Sequence, residues 1–305
     1  MNPMVVGGAG FVGSHIVDRL LAEGHATEVV DDLSSGSLAN LADARAAGGA
    51  LKIHTIDVRS PEFRSLVGMR HPDVIYHLAL LTPAHADHDA DGGAVPNLLA
   101  VLEAARAHGV AKVVVALPAG LLYGEVPSRE LPVKESRAFE PLGVRGVLAR
   151  TVTDLLAVYR DEHSIEYTAL ALASVYGPRQ RAADGVVAGF AAAAAGDQPF
   201  VVHGDGRQTR DLIFVDDAVD ALVRAGQRGG GLLINVGTGV QTSVRELARL
   251  VDPGAEIVAA PRRAGDITRI ALSPTRARIH LQWSPWTSVA AGVGATVTAV
   301  AGSAR

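Results

Sequence analysis

Residues 4–15 read MVVGGAGFVGSH, three apolar residues that run into glycines at 7, 8, 10 and 13 and then into an amphipathic segment. Gly7, Gly10 and Gly13 stand three apart, and Gly8, Gly10 and Gly13 also satisfy Gly-x-Gly-x-x-Gly. Between a strand and a helix, each glycine has a task. The first permits the tight turn, the next lets a pyrophosphate approach the backbone, and Gly13 lets the helix pack closely beneath it. The helix amino terminus then faces the phosphate charge. The next apolar run, in EVVDDLSSGS (28–37), ends at Asp31 and Asp32, and Asp31 lies eighteen residues after Gly13. A carboxylate there accepts from a ribose 2′-hydroxyl and repels a 2′-phosphate. No Arg or Lys lies between residues 31 and 44 to neutralise one, so the pattern favours NAD over NADP. The alternative is local: glycines serving sharp turns and two aspartates capping a loop.

Outward from this loop, short apolar runs alternate with longer amphipathic ones. Met4–Val6, Glu28–Val30, Leu51–Ile56, Val74–Leu78, Val113–Ala116 and Thr168–Leu172 read as strands. Val12–Ala22, Val95–Ala107 and Arg150–Arg160 carry apolar residues at helical spacing, and the first two run to Gly24 and Gly109. This alternation predicts an α/β fold, a Rossmann-type doubly wound parallel sheet. After about residue 173 glycine and proline loosen the rhythm, and further strands are expected at Phe200–His203 and Leu232–Val236. The expected organisation is a cofactor-binding domain over 1–172, its sheet completed by about 208–240. Residues 173–207 and 241–305 would form a smaller carboxyl-terminal substrate lobe.

The 305 residues are 48% hydrophobic and 20% charged, ordinary for a globular protein with a sizeable core. A net charge of −4 and only 4% aromatic residues argue against nucleic acid and membrane surfaces as partners. The absence of cysteine excludes disulfides, thiolate chemistry and Cys-based metal centres. Met1 to Val6 lead straight into the glycine loop without the basic segment and apolar run of a secretory signal, so the cytoplasm is the expected compartment. The apolar stretches Val186–Ala195 and Val289–Gly302 are too short to span a bilayer and are expected as helices.

With GGAGFVGSH (7–15), VDDLSSG (30–36), IDV (56–58), HLA (77–79), YGPRQ (176–180) and GDGRQTRDLIFVDDAVDAL (204–222) in this order, the chain resembles the extended short-chain dehydrogenase/reductases. Within them it is most similar to the NAD-dependent epimerase/dehydratases, typified by UDP-glucose 4-epimerase. The resemblance runs from Met4 to about Trp286. It implies a domain holding NAD and a lobe holding a UDP- or dTDP-sugar. Gly7, Gly10, Phe11, Val12, Gly13, Asp31, Asp32, Asp57, Val58, Leu78 and Ala79 match the cofactor positions. Arg210 in QTRDL, and Arg263 with Asp266 in RRAGD, match positions that grip the diphosphate and nucleoside, and Arg179 in YGPRQ is a further basic candidate. Guanidinium forks suit phosphate oxygens and carboxylates suit ribose hydroxyls. A homodimer formed through the segments 95–107 and 145–159 is implied by analogy.

Family chemistry uses a Ser or Thr after the fifth strand and a Tyr-x-x-x-Lys on the next helix, whose Tyr moves the sugar-hydroxyl proton. Here the turn in VVVALPAGLLYGE (113–125) reads Leu117, Pro118, Ala119, Gly120, and the Tyr and Lys positions fall at Arg145 and Ala149. None of the five tyrosines has a Lys four residues on. The Asp-Glu pair of the sugar dehydratases falls at Gly120 and Leu121.

Substitute acid-base groups are therefore sought elsewhere. The loop TPAHADHDADGG (82–93) carries His85, Asp87, His88, Asp89 and Asp91, which suit proton transfer, or simply a solvated polar loop; no metal site is assigned to them. Tyr123, a packing or wall residue in the family, and Glu125 are the other candidates, with Glu135 weaker still. Two functions follow: an NAD-dependent nucleotide-sugar epimerase or ketoreductase with non-standard acid-base residues, or an inactive NAD- and nucleotide-sugar-binding protein acting as sensor or partner.

Overall fold

A computed structural model describes residues 1–81, 93–263 and 265–303. Its centre is a parallel sheet of strands β1 (Pro3–Val6), β2 (Thr27–Asp31), β3 (Leu51–Thr55), β4 (Val74–His77), β5 (Lys112–Pro118), β6 (Glu166–Leu172) and, after an excursion, β11 (Leu232–Val236). The order across the sheet is β11-β6-β5-β4-β1-β2-β3, so the seven strands reverse direction of travel between β1 and β4. β1, β2 and β4 are buried at every position, as strands covered on both faces must be.

The helices are α1 (Phe11–Ala22), α2 (Ala42–Ala46), α3 (Pro61–Arg70), α4 (Ala94–His108), α5 (Ala119–Tyr123) and α6 (Gly143–His163), then α7 (Val186–Ala195), α8 (Val215–Ala225), α9 (Val244–Val251), α10 (Thr275–His280) and α11 (Val289–Ser303). α1 packs with α2 and α8, while α3, α4 and α6 pack in a second group. Their boundaries follow local chemistry. α3 starts with Pro61 behind Ser60, whose hydroxyl accepts from the Phe63 amide, and α4 ends at Gly109 with φ 67°.

The excursion between β6 and β11 and the residues after it carry three pairs of short strands. β7 (Ser174–Tyr176) pairs with β10 (Leu212–Phe214), β8 (Phe200–His203) with β13 (Ile257–Ala260), and β9 (Thr209–Arg210) with β12 (Thr242–Ser243). Both apolar stretches expected as helices are helices, α7 and α11. Among the described residues no helix is long and apolar enough to cross a membrane.

Two local expectations are corrected. The helix expected from Arg150 begins at Gly143, two turns earlier. The apolar spacing does not extend over Gly143 and Gly146, but a Cβ at Gly146 would lie 2.7 Å from the Leu121 carbonyl oxygen, so close packing demands the glycine inside the helix. The strand expected to stop at Ala116 continues to Pro118, and the turn after it is the short helix α5.

Candidate functional site

The reversal between β1 and β4 opens a crevice at the carboxyl ends of the strands, where ligands of doubly wound sheets sit. The glycine loop lines it. Gly7 leaves β1 with φ 80°, and a Cβ there would lie 3.1 Å from the Ala79 amide nitrogen, so Leu78 and Ala79 press against the loop. Gly10 caps α1, Phe11 and Val12 form its first turn, and a Cβ at Gly13 would collide with the Gly7 carbonyl oxygen. This is a cradle closed to side chains at the amino terminus of a twelve-residue helix.

Asp31 closes the cradle from β2. One carboxylate oxygen accepts from the Ala9 amide at 2.9 Å and the other from the Leu33 amide at 2.9 Å. Burial pushes its carboxyl up while both amides pull it down. The Ala9 carbonyl in turn accepts from the Ser37 amide and from Asn40 Nδ2, each at 2.9 Å. Asp32 is exposed and accepts from the Ser34 amide and hydroxyl. Asp57, beyond β3, is held by Arg59, whose guanidinium keeps its carboxyl below the usual range, and Val58 is buried beside it.

At the end of β5, Leu117 and Ala119 are buried and Pro118 is exposed. A Cβ at Gly120 would meet Ile267 Cδ1 at 3.1 Å, so the apolar turn is roofed by a side chain from the lobe. Arg145 is half-buried in the first turn of α6, and Ala149, one turn on, is fully buried.

The structure moves three candidates away from proton chemistry or phosphate. Tyr123 is fully buried and donates to Asn235 Oδ1 at 2.8 Å, while Asn235 accepts no ligand role: its amide donates to Glu135 Oε1 and its Nδ2 to the Val133 carbonyl. Burial pushes the Tyr123 hydroxyl upward. Glu125 accepts from the Thr268 amide at 2.7 Å and lies 3.7 Å from Arg262. Arg179 does not join Arg210; it pairs with Asp18 of α1 and Asp43 of α2. His85, Asp87 and His88 lie outside the described residues, and among the described residues no cluster of His, Asp or Glu is arranged to hold a metal.

On the lobe, Arg210 is mostly buried. Its Nη1 donates to the Thr209 and Ile267 carbonyls at 2.9 Å each, and Nη2 stands 3.9 Å from Asp266. Burial lowers its pKa from an extreme value, with Asp266 and Glu125 opposing, so it remains a cation. The Arg263 carbonyl accepts from the Asp266 amide, so those two share one turn, which Arg210 reaches from β9.

Two buried polar residues escaped the sequence reading. Asp211 accepts from the amides of Thr238, Gly239 and Leu272 and from the Thr238 hydroxyl, which fastens Arg210's strand to the neighbouring loops. Its one signal is a carboxylate directly before the apolar run 212–215. His77, in HLA, is fully buried with no hydrogen-bond partner at either ring nitrogen.

Residues 4–237 match the model of the NAD dependent epimerase/dehydratase family. The chain is 39% identical over 312 residues to the UDP-glucose 4-epimerase of Mycolicibacterium smegmatis, covering 97% of each chain. Its structure matches a UDP-glucose 4-epimerase from Thermotoga maritima with UDP-glucose at a TM-score of 0.93 and 31% identity over 100% of both chains. It matches the Thermus thermophilus UDP-glucose 4-epimerase in complex with NAD at a TM-score of 0.91 and 30% identity over 99% of both. Glycine cradle, strand order and overall similarity agree, and the chain belongs to the NAD dependent epimerase/dehydratase family.

Proposed function

We propose that the protein binds NAD across the carboxyl edge of its sheet and a UDP- or dTDP-sugar on its lobe, and modifies the sugar as an epimerase or ketoreductase with non-standard acid-base residues. The observation that carries this reading is the survival of both binding halves: the Asp31-braced glycine cradle and the Arg210–Asp266 loop facing the end of β5 through Ile267. The cradle fits a dinucleotide, because its glycines leave backbone exposed where side chains would block a pyrophosphate. Residues 1–172 with 208–240 form the cofactor domain, from whose short strand β9 Arg210 reaches toward the sugar nucleotide, and 173–207 with 241–305 form the lobe that holds the rest of it.

NAD, when bound, supplies the hydride acceptor and donor. The chain's own contribution is positioning. Gly7, Gly10 and the α1 terminus neutralise phosphate charge, and Asp31 accepts from the adenosine ribose. Arg210 and Arg263 grip the diphosphate, with Asp266 on the nucleoside. The turn 117–120 and Ile267 form a dry apolar wall that excludes water from the reacting carbon. A homodimer through α4 and α6 is part of the proposal, supported by the exposed Val144, Val147 and Val158 along α6.

A second reading rests on the same wall. Ala119 and Ala149 are buried and Tyr123 is committed to Asn235, which suits a protein that holds both ligands without turnover. One experiment separates the two: incubate the protein with NAD and a panel of UDP- and dTDP-sugars and follow the appearance of an epimeric or oxidised sugar by NMR and of reduced nicotinamide by absorbance. Sugar conversion that requires NAD supports the enzyme. Ligand-induced thermal stabilisation without conversion supports the binding protein. Failure to bind NAD overturns both.

A further inference from the structure

Arg179 adopts a left-handed backbone, φ 68°, which is uncommon outside glycine. Its guanidinium is fastened at two points: Nη1 donates to Asp18 Oδ2 of α1 at 2.6 Å, and Nη2 to Asp43 Oδ2 of α2 at 3.2 Å. The preceding carbonyl, of Pro178, accepts from His15 Nε2 of α1 at 3.0 Å. His15 Nδ1 stands 4.0 Å from Asp216 in the first turn of α8. A cation that merely solvates the surface needs neither the backbone conformation nor partners on two separate helices.

Both helices border the glycine cradle. α1 begins where it ends, and α2 follows the segment in which the Ser37 amide and Asn40 Nδ2 hold the Ala9 carbonyl. At its other end, residue 179 sits in the turn three residues beyond β7, which lies in register beside β10 from Leu212↔Ser174 to Phe214↔Tyr176. The Ser174 amide donates to the Asp211 carbonyl at 2.9 Å, and Arg210 is the next residue back along the chain. A Cβ at Gly177 would lie 2.6 Å from Val215 Cγ1, so the link is also packed tightly on α8. A contiguous path of hydrogen bonds and paired strands thus runs from Arg210 through β10 and β7 to Arg179, and from Arg179 to the cradle.

We propose that Arg179 is a positioning residue that couples the cofactor cradle to the lobe, so that occupancy of the Arg210 loop by a nucleoside diphosphate tightens the grip on NAD. This rests on the functional reading above, in which the two ligands occupy those two places. Such coupling is reciprocal: whatever factor the nucleotide adds to NAD affinity, NAD adds to nucleotide affinity.

The test uses the full chain and two probes, NAD and UDP, by titration calorimetry. In the unsubstituted protein, saturating UDP is expected to tighten NAD binding by about fivefold or more. In Arg179→Ala that factor falls below about twofold while UDP alone still binds. Asp43→Asn, whose side chain is 87% exposed and leaves the Asp18 pair in place, guards against loss of folding and lowers the factor partway. A role confined to fold stability would lower the melting temperature and leave the factor intact. Unchanged coupling in both variants, or no coupling in the unsubstituted protein, overturns the proposal while the functional reading stands. No NAD binding by the unsubstituted protein overturns the functional reading itself, and the coupling with it.

Discussion

Ala9 donates its amide to the Asp31 carboxylate at 2.9 Å, so the residue that ends β2 also holds the glycine loop in shape. Removing the carboxylate therefore has two effects that one pair of variants separates. Asp31→Ala strands the Ala9 and Leu33 amides and lowers stability by roughly 1–3 kcal/mol in urea unfolding. Asp31→Asn keeps one of the two acceptors and recovers only part of that loss, while NAD affinity, measured by titration, falls about tenfold or more in both. Full NAD affinity in Asp31→Asn would refute the ribose role.

Tyr123→Phe is expected to act on stability alone. It leaves Asn235 Oδ1 buried without its donor, at a cost of about 1–3 kcal/mol, and leaves NAD and UDP binding unchanged. Any NAD-dependent sugar conversion shown by the parent protein should persist in this variant at a comparable rate.

His77 makes the fold sensitive to acid. Burial pushes its imidazole down to about 3, against about 6.5 in the unfolded chain. Between those values the unfolded state binds more protons, so stability rises with pH and falls as pH drops below about 6.5. His15 is also lowered, chiefly by burial, and acts in the same direction. The His77 contribution alone amounts to roughly 2 kcal/mol lost between pH 8 and pH 5. Denaturant midpoints of the parent and of His77→Gln across that range should converge on acidification.

Two glycines of α11 should respond in opposite senses to alanine. Gly294 has open space where a Cβ would go, so Gly294→Ala stabilises by about 0.5–1 kcal/mol. At Gly292 the same Cβ would collide with the Tyr176 hydroxyl, and Gly292→Ala destabilises by roughly 1–3 kcal/mol. Melting curves of the two single variants provide the check.

Arg210→Gln should weaken UDP binding by about tenfold or more, because a charge-assisted contact to the diphosphate is lost. NAD titrated alone should bind as in the parent. Equal loss of both would instead point to collapse of the loop that Arg210 ties through the Thr209 and Ile267 carbonyls.

What could be read from the sequence was what is local. The glycine loop and the strand ending at Asp31 carry their meaning within about thirty residues, and the alternation of apolar runs gave the parallel sheet. Periodicity alone missed the first two turns of α6, because Gly143 and Gly146 interrupt the apolar spacing and the reason for Gly146 lies in the Leu121 carbonyl. Charge partnerships were hidden for the same reason. Arg179 meets Asp18 and Asp43 across 161 and 136 residues of sequence, and Tyr123 meets Asn235 across 112.

The strand order has a consequence for the chain during its lifetime in a cell. β6 receives its outer neighbour, β11, only after the excursion from 173 to 231. A polypeptide halted or cut within that excursion would expose β6 as an unprotected edge, ready to pair with other chains. The long excursion also delays closure of the sheet, because distant strands must find each other before either is shielded. Proteolytic nicking in the lobe therefore threatens solubility of the whole molecule and not the lobe alone.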